Sequence, residues 1–328
     1  MKTLVTGGTG FLGSAIVREL LFDGRAVKAL VRKDADLSNL AGLDTEHVVG
    51  DLRDQDSLEK AIDGCDILYH AAAHYSFWDR DKQKIYDINV GGTEKILSAA
   101  LKKKIQKVVY TSTVGCVGIL PHGKPGNEDT PLNLATLCND YKLSKFQAEK
   151  LAYKFNSKLP VVVVNPSAPI GPRDIKPTPT GGIVLDFLRR KMPAYLDTGL
   201  NLIHVDDCAR GHILAEKKGK PGERYILGNQ NLSLREILQI LEKITGLKAP
   251  AIQIPYWVAY TSGFISEKIS NLITHRPPMA PLGAVKMAKY KMYFDPTKAV
   301  RELGLPQTSP EVALKEAVEW FQNNGYLK

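Results

Sequence analysis

From its first residues the chain alternates short continuous apolar runs with stretches in which apolar residues recur every three or four positions. The runs at Lys2 to Thr6, Ala26 to Val31, His47 to Val49, Asp66 to His70, Lys107 to Tyr110 and Val161 to Val164 have the length and bounding residues of buried strands. Helical repeats fill the gaps. One carries Phe11, Leu12, Ala15, Ile16, Val17 and Leu20. A second carries Leu58, Ala61 and Ile62, with Asp56 or Ser57 available as its cap. A third runs from Lys82 to Leu101, and a fourth opens at Asp140 and continues through Phe155. Strand and helix in alternation predict an α/β fold with a doubly wound parallel sheet. Past Val164 the pattern breaks. Pro166, Pro169, Pro172, Pro177 and Pro179 precede Gly181-Gly182, so the chain leaves the sheet there. The expected organisation is a dinucleotide-binding domain over 1–165 and a smaller substrate domain over 166–202 and 229–328. Within the latter, Ser233 with Glu236 forms a capping box for a helix to Thr245.

The first strand-to-helix junction carries the clearest chemistry. In TGGTGFLG, glycine stands at Gly7, Gly10 and Gly13 between a predicted strand and a predicted helix. Gly7 permits a sharp turn, Gly10 lets a backbone approach a pyrophosphate, and Gly13 lets the helix pack close to the strand. The helix opened by Phe11 and Leu12 then directs its N-terminus at the phosphates, the arrangement of a Rossmann dinucleotide site. The second strand ends in Arg32, where an acidic residue would bind the ribose hydroxyl of NAD and an arginine suits the 2′-phosphate of NADP. The bland alternative is a surface arginine. Asp51 closes the third strand, placed either to accept from an adenine amino group or simply to make a turn. Ala71, Ala72 and Ala73 follow the fourth strand and leave room for a dinucleotide against the backbone. His70 and His74 share no helix and have no evident third partner, so no metal site is expected. Tyr75, Phe77 and Trp78 form an aromatic loop that either covers the core or walls a ring-binding pocket.

The fifth strand ends in Thr111, Ser112 and Thr113. Beyond it, Tyr141 and Lys145 sit one turn apart on one helix face. A phenol is a poor acid or base near neutral pH, but a neighbouring ammonium favours phenolate and lowers its pKa. A hydroxyl opposite can hold a substrate oxygen.

Composition narrows the partners. Among 328 residues the formal charge is +9, which suits an anionic cofactor and also an anionic membrane face. No apolar run is long enough to span a bilayer, and no leader-like segment precedes the first strand, so a cytoplasmic chain is expected. Cys65, Cys116, Cys138 and Cys208 lack metal-binding spacing and read as reduced thiols. Nothing indicates nucleic-acid binding. The stretch Ile254 to Ile273 is the most apolar late segment, either a helix covering the substrate pocket or an interfacial helix in peripheral membrane contact. A homodimer is compatible with these features.

Taken together, TGGTGFLG, GDLRD, HAAAHY, VVYTSTVGCVG, YKLSK, VVVNPSAPIGPRD, LIHVDDCARGH and FDPTKAVRELG resemble the extended short-chain dehydrogenase/reductases along essentially the whole chain. Within that family the sequence is similar to the dihydroflavonol-4-reductase-like branch, in particular to proteins called hopanoid-associated sugar epimerases. The resemblance implies Tyr141 as acid/base, Lys145 as its electrostatic partner and ribose ligand, and Thr113 as the catalytic hydroxyl, with Ser112 as fallback. It implies Asn89 as a support of the active site. Leu52, Ala71, Ala72, Ala73, Tyr141, Lys145, Pro166 and Ser167 join the glycines, Phe11, Leu12, Arg32 and Asp51 as cofactor positions. It also returns Ile203 to Gly228 to the main sheet, and brings the stretch from Lys176 to the active site, so that His74, Tyr75, Trp78 and Lys176 are the candidate substrate residues.

Three functions then compete: an NADP-dependent carbonyl reductase or alcohol dehydrogenase, with NAD possible; a sugar epimerase or dehydratase; and a non-catalytic dinucleotide sensor. The Thr113, Tyr141 and Lys145 set disfavours the sensor, and Arg32 favours the reductase. Nucleotide-sugar members of the family place a pyrophosphate-binding arginine just ahead of the strand read here at Ile203 to Asp207. This chain has Leu200 there, with Arg173 or Lys176 as possible substitutes. With the aromatic loop and the apolar Ile254 to Ile273 stretch, the expected substrate is therefore a small apolar carbonyl or isoprenoid-like compound.

Overall fold

The computed structural model describes residues 1–76, 82–136, 139–274, 278 and 281–327. The first half alternates as its apolar pattern requires: β1 (Lys2–Thr6), α1 (Phe11–Phe22), β2 (Ala26–Val31), β3 (Glu46–Val49), α2 (Gln55–Ile62), β4 (Ile67–His70), α3 (Lys82–Tyr86), α4 (Gly92–Lys102), β5 (Lys107–Thr111), α5 (Asp140–Phe155) and β6 (Val161–Pro166). The chain then runs through β7 (Ala168–Ile170), α6 (Pro179–Leu188), β8 (Gly199–His204), α7 (Val205–Lys218), β9 (Arg224–Leu227), β10 (Gln230–Ser233) and α8 (Leu234–Thr245). It closes with α9 (Tyr256–Ile269), α10 (Leu282–Met287), β11 (Lys291–Met292), α11 (Thr297–Leu303) and α12 (Pro310–Asn323).

Among the described residues, seven strands form one sheet in the order β3-β2-β1-β4-β5-β6-β9, every neighbouring pair parallel. Each inner strand is buried on both faces because helices cover both, which explains the unbroken Val161–Val164 run. One apolar layer joins the sheet to α1 and α7, the other to α2, α4 and α5. The strand order reverses between β1 and β4, so the chain ends there splay apart and open a crevice. A smaller sheet pairs β8 with β10, β11 and β7, and packs on α6, α8 and α12.

Several boundaries depart from the sequence pattern. Asp54, rather than Asp56 or Ser57, caps α2, its side chain accepting from both of their backbone N–H groups, because only a residue ahead of the first turn can reach those donors. The long helix from Lys82 is interrupted by a π-turn at Asp87–Gly91, where the Gly92 N–H bonds to the Asp87 carbonyl. Of the span from Ile203, α7 packs on the face of the main sheet and β9 joins it as a strand. Residues through His204 belong to the smaller sheet, and Val205–Asp207, read as strand, open α7 with His204 as cap. The Ser233–Glu236 capping box forms as expected. Cys65, Cys116 and Cys208 are free thiols; Cys138 lies outside the described residues. Among the described residues no helix is long and apolar enough to cross a membrane.

Candidate active site

One cavity of about 1120 Å³ runs from the glycine turn, across the ends of β4, β5 and β6, into the smaller sheet and the α9–α10 pair. At its first end the backbone itself is the wall. Gly7 has φ +77°, and a Cβ there would meet the Ala72 backbone at 2.7 Å; a Cβ on Gly13 would lie 2.0 Å from the Gly7 carbonyl oxygen. Strand, turn and helix are thus in backbone contact, which only glycine allows. Gly10 faces the other way: a Cβ on it would meet only the Gly7 oxygen, at 3.3 Å, so its cavity side is open.

This end fits a dinucleotide on three counts. Gly10 is the N-cap of α1 and brings no side-chain acceptor, and the first turn holds no acidic residue, so amide donors face an anion without competition. Ser167 Oγ, on the cavity wall past β6, is buried without a hydrogen-bond partner. Ala71, Ala72 and Ala73 line the floor, with Phe11, Leu12, Leu52 and Pro166 around it. Arg32 and Asp51 share this end. Asp51 is gripped by Arg53, whose Nε and Nη2 donate to its two oxygens at 3.0 and 2.7 Å. The Arg53 guanidinium therefore holds the Asp51 carboxyl down to about 2, with Arg32 contributing.

Thr113, Tyr141 and Lys145 all line this cavity, past the end of β5 and in the first turns of α5. Thr113 Oγ1 accepts from the Gly115 N–H at 3.1 Å, so the hydroxyl proton remains for donation. Ser112 is turned elsewhere. Its hydroxyl donates to Glu149 Oε2, which also accepts from Asn165 Nδ2 at 2.9 Å, while Glu149 Oε1 meets Arg224 at 3.3 Å. Lys145 Nζ donates to the Thr111 carbonyl at 2.7 Å and lies 4.6 Å from the Tyr110 ring centre; burial lowers it to about 8. The expected lowering of the Tyr141 pKa by this ammonium is not found. Burial pushes the Tyr141 phenol well up, with Tyr75 and Cys116 adding to it.

The scaffold behind these groups comes from the π-turn. Asn89, buried within it, accepts from the His74 N–H at 2.7 Å and donates to the His74 carbonyl at 3.1 Å. The same amide reaches Ser144 Oγ at 2.9 Å, and Ser144 Oγ donates to the Tyr141 carbonyl. The loop after β4 and the helix carrying Tyr141 are thereby tied to one side chain. Tyr75 packs edge-on against Tyr141, ring centres 4.5 Å apart. His74 and Tyr75 line the cavity. His70 does not: it is buried between Thr6 and Thr93 hydroxyls, and burial lowers it to about 3. Among the described residues no cluster of three or more His, Cys, Asp or Glu could hold a metal.

The far end is apolar, walled by Ile183, Met192, Leu200, Leu234, Val258 and Met292 among others. Leu200 stands in this wall. Neither suggested substitute joins it: Arg173 is held by Asp206 at 2.5 Å, and Lys176 is exposed, its charge solvated, while its neighbours Thr178, Pro179 and Thr180 face the cavity. The described arginines in the lining, Arg32 and Arg53, are both at the glycine end. Trp78 and Phe77 lie outside the described residues.

The family model for "NAD dependent epimerase/dehydratase family" matches residues 3–228. The chain belongs to the NAD dependent epimerase/dehydratase family. It is similar, at 49% identity over 99% of this chain and 95% of the relative, to a "putative dihydroflavonol 4-reductase" of Synechocystis sp.. It is 34% identical, over the full length of both, to "sterol demethylase protein B" of Methylococcus capsulatus. The crystal structure of gox2253 superposes with a TM-score of 0.88 at 41% identity, covering 99% of each chain. This family member is accordingly an NAD(P)-dependent enzyme of the extended short-chain dehydrogenase/reductase type with reductase-like relatives.

Two features of the site escaped the sequence reading. Glu149 follows Lys145 by one helical turn, so its place behind Ser112 was open to the same spacing argument that paired Tyr141 with Lys145. Lys142, buried in the cavity wall with Nζ 4.0 Å from Met292 Sδ, depends on a strand 150 residues away and left no local signal.

Proposed function

We propose that the protein is an NADP-dependent reductase of a carbonyl group on an apolar substrate. The observation that carries this reading is the polarity of the large cavity: amide donors and arginines at one end, the Thr113, Tyr141 and Lys145 set between, and at the other a chamber walled mostly by apolar side chains, without arginine and with the buried Lys142 against Met292. A bound nicotinamide supplies hydride chemistry there. The glycine turn, the amides of α1 and Ser167 would hold the dinucleotide, and Arg32 would pair with a 2′-phosphate, Asp51 being already neutralised by Arg53.

The residues of the chain account for the proton and the orientation. Thr113 Oγ1 donates a hydrogen bond to the substrate carbonyl oxygen and fixes its direction. Tyr141 gives its proton to that oxygen as negative charge develops on it; a phenol with a raised pKa is fully protonated near neutral pH, which suits the reductive direction. Lys145 contributes positive charge in a buried site and braces the Thr111 carbonyl beneath the reacting groups. Asn89 keeps Tyr141 and the His74 loop in register.

The relatives' names agree in direction: one is named for a reductase, the other for a sterol. The test is a turnover screen following nicotinamide absorbance, with aromatic and alicyclic ketones and aldehydes set against nucleotide-diphosphate sugars. Reduction of the apolar carbonyls with NADPH is expected. Saturable micromolar binding of UDP-sugars that competes with turnover would overturn the reading in favour of an epimerase or dehydratase.

A further inference from the structure

The helix α9 carries more apolar side chains than its cavity-lining positions account for. Val258, Ala259 and Ser262, with Ile254 just ahead, line the cavity. Turned to the outside are Trp257 and Phe264 at 68% and 45% exposure, with Ile265 beside them at 57%, and the following turn adds Leu272 and Ile273 at 74% and 72%. A helix that only lids a pocket needs one apolar face and turns polar side chains to water. Here the outward positions 257, 261, 264, 265, 268 and 272 recur at helical spacing, and most of them are large and apolar. An exposed apolar surface of this kind marks a surface of interaction.

The charge around it selects the occupant. From Lys248 to Lys291 the sequence contains one carboxylate, Glu267, and its Oε2 accepts from the Leu282 N–H, joining α9 to α10. The same span holds Lys248, Lys268, Lys286, Lys289 and Lys291. Lys291 pairs with Asp197 at 3.1 Å, whereas Lys268 lies over the Phe264 ring with its Nζ 5.6 Å from the centre, its stem covering apolar surface. Trp, Phe, Leu and Ile bordered by lysine are the residues by which an amphipathic helix lies in a lipid headgroup layer and prefers anionic lipid.

We propose that α9 and the turn after it dock the enzyme on an anionic bilayer surface, with the outer face of α9 in the headgroup layer and its inner face on the substrate chamber. The inference is independent of which carbonyl is reduced, and its test reads no turnover. The full-length chain is sedimented with vesicles of phosphatidylglycerol and phosphatidylethanolamine, and with phosphatidylcholine vesicles, at low and high salt. The parent protein should pellet with the first, less so as salt rises, and weakly with the second. Trp257→Gln with Phe264→Gln and Leu272→Gln should weaken binding by at least ~30-fold, since three large apolar groups lose their burial. Lys268→Gln with Lys289→Gln should weaken it by roughly 10- to 30-fold on the anionic vesicles alone. All five positions are at the surface, so thermal midpoints near the parent's show that the variants fold. Failure of the parent to pellet, or unchanged pelleting of the triple variant, overturns the proposal. So does a concentration-dependent dimer in light scattering that the triple variant abolishes while vesicles bind nothing, which would give the face to a second copy of the chain.

Discussion

The two ends of the cavity are built by different means. The glycine end is made of backbone: Gly7, Gly10 and Gly13, the alanines after β4, and the first amides of α1, all tied to one sheet edge. The far end is made of side chains from α6, β8, α8, α9, α10 and β11, spread over more than a hundred residues. A backbone wall recognises what dinucleotides share and tolerates little change, since a Cβ on Gly13 would collide with the Gly7 carbonyl. A side-chain wall can be re-lined without moving the sheet. One cavity thus has an end fixed by backbone and an end that can be re-lined, with Thr113, Tyr141 and Lys145 at the seam.

The sharpest way to test that division is at the seam. Tyr141→Phe keeps the ring and its edge contact with Tyr75 but removes the proton, so kcat should fall by about 10²- to 10⁴-fold while dinucleotide affinity changes little. Turnover within a few-fold of the parent would remove Tyr141 from the proton path.

The next effect belongs to the glycine end alone. If Arg32 pairs with a 2′-phosphate, Arg32→Ala loses a charge-assisted contact, and NADP affinity measured by calorimetry should drop by roughly 10- to 150-fold with NAD nearly unchanged. Equal loss for both dinucleotides would show that Arg32 acts on the shared part of the molecule or on Asp51.

The smallest effect belongs to the far end. Asp174 is buried behind α6, its Oδ2 accepting from the Thr178 N–H and hydroxyl at 2.8 Å, its Oδ1 without a partner, and burial raises it to about 6. A carboxyl whose folded pKa exceeds its unfolded value favours the folded state when protonated. Its contribution to stability therefore falls as pH rises from about 4 through about 6. Asp174→Asn keeps an acceptor for Thr178 and stays neutral, so relative to the parent it should be more stable at pH 7 by on the order of 1–2 kcal/mol, the gain vanishing toward pH 4. Parallel melting profiles across that range would place the titration elsewhere.

This contrast also explains what could be read from the sequence. Gly7, Gly10, Gly13, Ala71 to Ala73 and the Tyr141–Lys145 pair are encoded within short stretches, where turn geometry and helical spacing act locally. The parallel sheet follows from the same alternation. What was misread depends on distance or on a defect in regularity. The Tyr141 phenol is raised by burial, with Tyr75 and Cys116 adding to it, which spacing to Lys145 does not show, and the exposure of Lys176 depends on how a proline-rich loop folds back. The strand ends at His204 because its side chain accepts from the Asp206 N–H and caps α7, whose first turn holds Asp206 and Asp207, whereas Leu202, Ile203 and Val205 alone read as one apolar run.

The π-turn at Asp87–Gly91 has a consequence for how this scaffold can change length. It is a local surplus of winding: the helical segments on either side keep their own phase, and Asn89 projects from the place where the two phases fail to match. Losing one residue anywhere in that turn would let the two segments fuse into one regular helix and rotate Asn89 off both His74 and Ser144. The loop after β4 and the helix carrying Tyr141 are therefore kept together by an irregularity, and insertions or deletions elsewhere on the helical face are tolerated only as far as they leave that mismatch in place.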